Sequence, residues 1–373
     1  MIDKLVYITY QSFPSIKANT FQTFENLKYI SLKVPYVKLI FPKREKTSSD
    51  NLEHLTENYE VPKNLVIEAT RHNLPFGKFK YFKKVSYLLS HYFWSRKECE
   101  KIEINSNTFF LTRSDWVFFF LSRKGANIAF ECHQLSRVRK LVMKKSIKHT
   151  NSKIIFLNNE LALDSGINLK NYAKKFIVLQ NGVDTEIFNE KNSKKTGQLI
   201  FLGNLKRFDE SRNLKFVIKC FKNPNLNKNF SLKIIGGPAS EVEVLKKFVE
   251  ELDLGSKVVI ENRKSRRLAI KEIENSEIGL LINSSRNIHS VKYTSPLKYF
   301  EYLYGELKIL AVNFISHKSL PFSENICFFE EGNEESFVSS LNSTENILFI
   351  PKEKLKLLSL ENRVENLLDF LKR

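Results

Sequence analysis

Five stretches of the chain combine residue types that do chemistry with spacings that would gather them. In Ile128-Ala-Phe-Glu-Cys-His-Gln134 an apolar run ends at Glu131, and His133 follows two residues on. Imidazole is the side chain that changes charge nearest neutral pH. A strand that stops at Glu131 leaves His133 at a carboxyl edge, where α/β proteins bind ligands. A lone histidine after a strand is more often packed in a core, so its position carries the inference. In Leu199-Ile-Phe-Leu-Gly-Asn-Leu-Lys-Arg-Phe208 a strand pattern ends at Gly203, and Arg207 and Arg212 follow. Glycine lets a ligand approach the backbone, and a guanidinium fork binds phosphate oxygens bidentately. In Tyr293-Thr-Ser-Pro-Leu-Lys-Tyr-Phe-Glu301, Ser295 reads as an N-cap and Pro296 as the first helical residue. The free N–H groups around Ser295, Pro296 and Leu297 would then face an anion. Lys298 and Glu301 share a face, a cation for phosphate and an acceptor for sugar hydroxyls. Read alone, this third stretch is a capped helix with an ion pair. The loop Gln11–Thr20 leads from the first strand into a helix from about Thr20 and offers Ser15, Lys17 and Asn19 for acceptor or phosphate contact. Last, Gln180-Asn-Gly-Val-Asp-Thr-Glu-Ile-Phe188 holds an Asn-Gly turn directly after a strand pattern.

The elements that must position these residues are short apolar runs alternating with helical patterns. Strands are predicted at Leu5–Tyr10, Val37–Phe41, Leu65–Ala69, Thr108–Leu111, Ile128–Glu131, Ile154–Leu157 and Phe176–Leu179. A second set is predicted at Leu199–Gly203, Leu232–Gly236, Val258–Ile260, Ile278–Ile282 and Leu307–Val312. The second-half runs are apolar throughout, which suits parallel strands covered on both faces. Between them Leu245, Phe248, Val249 and Leu252 follow the helical i, i+3, i+4, i+7 spacing. Strand–helix alternation implies an α/β protein with right-handed crossovers. The polar stretch Asn189–Gly197 reads as a linker, giving domains at 1–187 and 188–352 and a C-terminal helical segment at 353–373.

The strand, then Asn-Gly-Val-Asp, then linker, then Gly203, then the Ser-Pro-Leu-Lys helix with Glu301 resembles family 4 of the retaining glycosyltransferases along nearly the whole chain. That resemblance implies the GT-B fold: two facing Rossmann-like domains with parallel sheets and a C-terminal helix crossing back to the N-terminal domain. It implies an acceptor domain at 1–187 and a nucleotide-sugar donor domain at 188–352. Arg207 and Arg212 would grip the donor diphosphate with Lys298 and the helix start, and Glu301 would hold the ribose. His133 would be the catalytic residue, pointing into the cleft near the donor sugar, with Glu131 lining the cleft beside it. The family's usual residues are replaced by Asn204 and Asn213 after the glycine, and Tyr293 stands where a first glutamate is usual. The donor sugar is therefore left open. The implied activity is a retaining, hexosyltransferase-type transfer to a saccharide or lipid-linked acceptor in surface polysaccharide or glycolipid synthesis. A nucleotide-sugar epimerase of the same fold, or a basic nucleic-acid-binding protein, are the competing readings.

Composition narrows the partners. The net charge is +19, and residues 1–187 carry the larger part, so phosphate-bearing partners are expected. Residues 69–97 hold seven Lys/Arg and no acid, interleaved with Phe76, Phe79, Tyr81, Phe82, Tyr87, Tyr92, Phe93 and Trp94. Residues 132–159 also hold seven Lys/Arg and no acid. Both patterns suit an anionic membrane surface, and equally a packed core with solvated lysines. No nucleic-acid module is found. There is no Asp-x-Asp and no His/Cys cluster, so no metal and no cofactor beyond the nucleotide-sugar are expected. Cys99, Cys132, Cys220 and Cys327 are far apart and suggest buried thiols in a reducing compartment. Without a signal-like start or a spanning run, the expected location is cytoplasmic, with peripheral contact at the inner membrane face.

Overall fold

A computed structural model describes residues 2–15, 17–72, 83–188, 194–207 and 210–373. The chain divides into two compact units, Met1–Gln180 with Leu360–Arg373, and Asn181–Ser359.

The first unit is built on a parallel sheet of seven strands in the order β3-β2-β1-β4-β5-β6-β7. They are β1 Lys4–Ile8, β2 Tyr36–Lys43, β3 Leu65–Arg71, β4 Thr108–Thr112, β5 Asn127–Cys132, β6 Ser152–Phe156 and β7 Phe176–Val178. Each of the seven predicted runs is one of these strands. The centre of the sheet is apolar on both faces: Leu5, Val6, Tyr7 and Ile8 of β1 are all buried. Such a strand must be covered twice, and the sequence supplies the covers. The helices Ala18–Ser31 and Leu360–Lys372 pack together, and Leu27 and Ile30 share one core with Val364, Leu367 and Leu371. The helices Lys83–Lys101, Asp115–Arg123 and Arg137–Ser146 form a second packed layer. Ser114 and Ser136 start the last two by accepting from Val117 N and Arg139 N, the usual way to satisfy an orphan amide.

The second unit holds a six-stranded parallel sheet in the order β12-β11-β8-β13-β14-β15. Its strands are β8 Gln198–Asn204, β11 Ser231–Gly237, β12 Val258–Asn262, β13 Ile278–Leu281, β14 Lys308–Val312 and β15 Ile326–Phe329. The prediction covered five of them. β15 adds an edge strand to β14. A two-stranded antiparallel hairpin, β9 Lys206–Arg207 and β10 Glu210–Ser211, also follows β8.

Both chain crossings lie elsewhere than the sequence suggested. The division falls at Gln180/Asn181, ahead of 187/188, and the Asn-Gly-Val-Asp turn belongs to the second unit. There Val183 N donates to Leu358 O at 3.0 Å, tying the outgoing chain to the returning one. The return falls at Ser359/Leu360 rather than at 353. Of the expected linker, residues 189–193 lie outside the described residues. Lys194 is fixed: its Nζ donates to Gly305 O at 2.8 Å.

Candidate functional site

In the second unit the expected donor residues gather at the carboxyl end of β8. Gly203 has φ +123°, and a Cβ there would lie 2.8 Å from Lys298 Cε and 3.0 Å from its Nζ. Only glycine lets that lysine lie across the backbone. The Lys298 ammonium stands 3.9 Å from the centre of the Phe201 ring, and the Arg212 guanidinium stands 5.8 Å from the same ring. Arg207 completes the group, with Nη1 donating to Thr294 Oγ1 at 3.3 Å. Arg212 Nη1 donates to Asn283 Oδ1 at 2.8 Å, at the end of β13.

These cations disturb one another. Burial, then Arg212 and Arg207, hold Lys298 well below the ordinary lysine value. Burial brings Arg207 down to about 10, and burial with the Arg207 charge brings Arg212 down to about 9. Three desolvated positive groups beside a strand-end glycine suit an anion of more than one charge.

The helix beside them runs Leu297–Tyr304, with Pro296 in the extended capping position. This corrects two expectations. Pro296 precedes the helix instead of opening it, and Ser295 does not cap it. Ser295 Oγ accepts from Asn181 N at 3.2 Å, and its carbonyl accepts from Asn181 Nδ2 at 2.6 Å. Asn181 thus takes the hydroxyl that a cap would have used. The first-turn amides of Leu297 and Lys298 remain at the helix start, beside the three cations. Glu301 is buried, and its Oε1 accepts from Arg266 Nη1. Arg266 was not anticipated, because nothing in the sequence links positions 35 apart.

In the first unit, His133 follows β5, which ends at Cys132. Its Nε2 stands 3.3 Å from Glu131 Oε2. Burial and the Arg113 charge push the imidazole down to about 4, so it is neutral at pH 7. Glu131 was expected to line the cleft. It is instead buried between two arginines: Arg113 Nε donates to Oε2 at 2.7 Å, and Arg363 Nη2 to Oε1. Burial alone would raise its carboxyl, but Arg113, Arg363 and His133 outweigh that and hold it well below the usual range. Arg363 also donates to Asn26 Oδ1 at 2.7 Å and to Gln180 O at 2.8 Å. Glu131 is therefore a fastener for the helix Leu360–Lys372.

The first loop is partly committed as well. Ser15 N donates to the Tyr59 hydroxyl, and Ser15 O accepts from it, both at 2.7 Å. Lys17 and Asn19 are exposed at the start of the helix Ala18–Ser31.

The sequence reading missed a second group at the same sheet edge. Tyr10 follows β1, Arg44 follows β2 and His72 follows β3. The Tyr10 hydroxyl is 2.8 Å from His72 Nε2. Arg44 Nη1 donates to Tyr10 O at 3.0 Å and lies over the Tyr10 ring at 5.0 Å. The His91 ring stacks on Tyr10 at 4.4 Å. The strand-end rule that singled out His133 would have found all three of the strand-end residues.

The two basic windows are only partly described. Residues 73–82, including Lys78 and Lys80, lie outside the described residues. Trp94 is buried and donates to Thr70 Oγ1 at 2.9 Å. In the second window Lys153 caps the final helix, donating to Phe370 O at 2.8 Å and Leu371 O at 2.7 Å. Among the described residues no helix is long and apolar enough to cross a membrane.

No family model and no curated protein matches this sequence. Solved structures do match in fold. A glycosyltransferase from Rickettsia africae aligns at 13% identity over 99% of this chain and 98% of its own, with a TM-score of 0.66. The catalytic domain of starch synthase IV from Arabidopsis thaliana, bound to ADP and acarbose, aligns at 12% identity over 99% of each chain, with a TM-score of 0.66. HepE from Anabaena, in complex with UDP and glucose, aligns at 10% identity over 99% of each chain, with a TM-score of 0.63. With its two parallel-sheet units, this chain has the two-Rossmann-like GT-B fold.

Proposed function

We propose that this chain transfers a sugar from a nucleoside diphosphate to an acceptor hydroxyl, as a retaining enzyme resembling glycosyltransferase family 4. The observation that carries the reading is the cluster of Arg207, Arg212 and Lys298 around Gly203, three cations with depressed pKa values beside a helix start. An anion placed there would relieve the strain that burial puts on all three. GT-B structures similar to this chain hold UDP or ADP, which are anions of the required kind.

In this reading the three cations and the amides of Leu297 and Lys298 hold the diphosphate. Glu301, oriented by Arg266, accepts from the ribose hydroxyls. The bond from the anomeric carbon to the diphosphate oxygen breaks through an oxocarbenium-like state. A new bond from that carbon to the acceptor oxygen forms on the same face, and the hydroxyl proton passes to the departing phosphate. The fixed cations offset the charge that develops on the leaving group, so the reaction needs no metal ion. The acceptor is a saccharide or lipid-linked saccharide taken by the first unit, in polysaccharide or glycolipid synthesis at the inner membrane face.

A thermal-shift panel of nucleotide-sugars and nucleoside diphosphates, each with and without EDTA, tests this. A ligand at about 100 times its Kd adds about 2.7 kcal/mol to native stability. At least one nucleotide should raise the melting temperature equally in both conditions, and its sugar should reach acceptor in EDTA. A panel without any shift would overturn the donor site, and a response that requires metal would overturn the metal-free chemistry.

A further inference from the structure

The outer layer of the first unit carries a face that neither the donor site nor the sheet edge uses. On the helix Lys83–Lys101 four large apolar side chains stand in solvent: Val85 at 51%, Leu88 at 43%, Leu89 at 51% and Phe93 at 48% exposure. Their spacing of three, four and eight residues puts them on one stripe. The inward side of the same helix is already filled by Ser90, His91, Trp94, Ser95 and Cys99. The stripe is therefore surplus to the fold. Next to it the stripe meets an aromatic row: Tyr92 touches Phe93, Trp116 and Phe120 with ring centres 5.3, 4.9 and 5.4 Å apart. Beyond the helix Asp115–Arg123 lies Arg137–Ser146, where Leu141 and Val138 are 59% and 39% exposed.

Charge borders this face with one sign. Arg96, Lys97, Lys101, Arg123, Arg137, Lys144 and Lys145 are exposed on the three helices. Among the described residues of these helices, the exposed acid is Glu100, which pairs with Arg96 at 2.8 Å. Glu98 and Asp115 are buried, and Glu98 pairs with Lys101 at 2.7 Å, so Lys97, Arg123, Arg137, Lys144 and Lys145 carry the border.

We infer that the face formed by these three helices docks on an anionic phospholipid bilayer. Aromatic and branched apolar side chains insert at the headgroup boundary, and the cations around them meet lipid phosphates. A protein partner or a second copy is the poorer fit, because protein interfaces are depleted in lysine and in unpaired charge at their centre. Here Lys144 and Lys145 lie one turn from Leu141. The inference supplies a surface for the lipid-linked acceptor proposed above; it rests on that reading for its purpose and not for its test.

The full chain is sedimented with vesicles of phosphatidylcholine alone and of phosphatidylcholine with 30% phosphatidylglycerol, in low and high salt, at the concentrations where its mass is measured in solution. The parent should bind the anionic vesicles and release in salt. Each cation removed should lower the partition about fivefold, so R137Q/K144Q/K145Q should lose roughly 100-fold. L88S/L89S should bind weakly even in low salt. Both variants should keep the parent's melting temperature and its shift with UDP or ADP. Lack of binding by the parent, or equal binding by all three proteins, would overturn the inference. So would a parent that forms a dimer broken by L88S/L89S, or one that prefers single-stranded RNA to vesicles. Loss of the nucleotide shift in the parent would sink the catalytic reading and leave the lipid face standing.

Discussion

Arg212→Met separates a residue kept for binding from one kept for folding. In the free protein the Arg212 side chain makes one bond, to Asn283 Oδ1 at 2.8 Å, and faces the charges of Arg207 and Lys298. Burial and the Arg207 charge lower its pKa to about 9, some three and a half units below the ordinary guanidinium value. Such a drop corresponds to roughly 5 kcal/mol, and solvent reaching the half-buried group reduces it to roughly half. Losing the bond to Asn283 costs about 1.5–3 kcal/mol. The two nearly cancel, so the free variant should melt within a few degrees of the parent or above it. Donor binding should behave differently. One or two charged hydrogen bonds lost to the diphosphate weaken it roughly 10- to 150-fold. At a UDP concentration about 100 times the parent Kd the parent gains about 2.7 kcal/mol, whereas a variant weakened about 50-fold gains about 0.6 kcal/mol. Differential scanning fluorimetry with and without UDP or ADP reads both quantities. A free variant that melts far below the parent, or a nucleotide shift as large as the parent's, would refute the assignment.

Three further outcomes follow from the geometry. Glu131→Gln leaves Arg113 and Arg363 buried without their carboxylate and should cost about 3–5 kcal/mol in urea unfolding; a loss under 1 kcal/mol would show that the two arginines find other partners. His133→Ala should lower turnover while UDP affinity, measured by calorimetry, stays within about twofold, and unchanged turnover would make the imidazole a packing residue. Burial pushes His91 and His317 down to about 4, below the ordinary value near 6.5. The unfolded chain therefore takes up these protons first as the pH falls. Stability present above about pH 6.5 should be lost down to about pH 4, by about 3 kcal/mol for each histidine; urea midpoints that do not move between pH 7.5 and 5 would contradict this.

Strands that are apolar on both faces announce themselves, and every predicted run became a strand. β15 escaped because Ile-Cys-Phe-Phe is short and its sheet position depends on β14 pairing beside it. The cationic cluster was legible because a strand ending in glycine fixes where Arg207 and Arg212 must emerge. Roles that depend on a distant partner were not legible. Glu131 has the sequence position of a cleft residue, but Arg363, far along the chain, claims it. Ser295 has the composition of a cap, but Asn181 claims its hydroxyl and carbonyl. Arg266 holds Glu301 across a separation that no local pattern encodes.

The first unit is interrupted by the whole of the second, and this bears on how the protein is made. Its sheet is finished once Val178 has been synthesised. Its cover is not, because Leu360, Val364, Leu367, Leu368 and Leu371 belong to the same core and are translated after Ser359. Until then Glu131 has Arg113 but lacks Arg363, and the core beside the helix Ala18–Ser31 lacks half of its cover. The second unit is continuous in sequence, and Val183 and Leu358 close it upon itself. The first unit is thus complete only when residues 360–373 have joined it, whatever the state of the second.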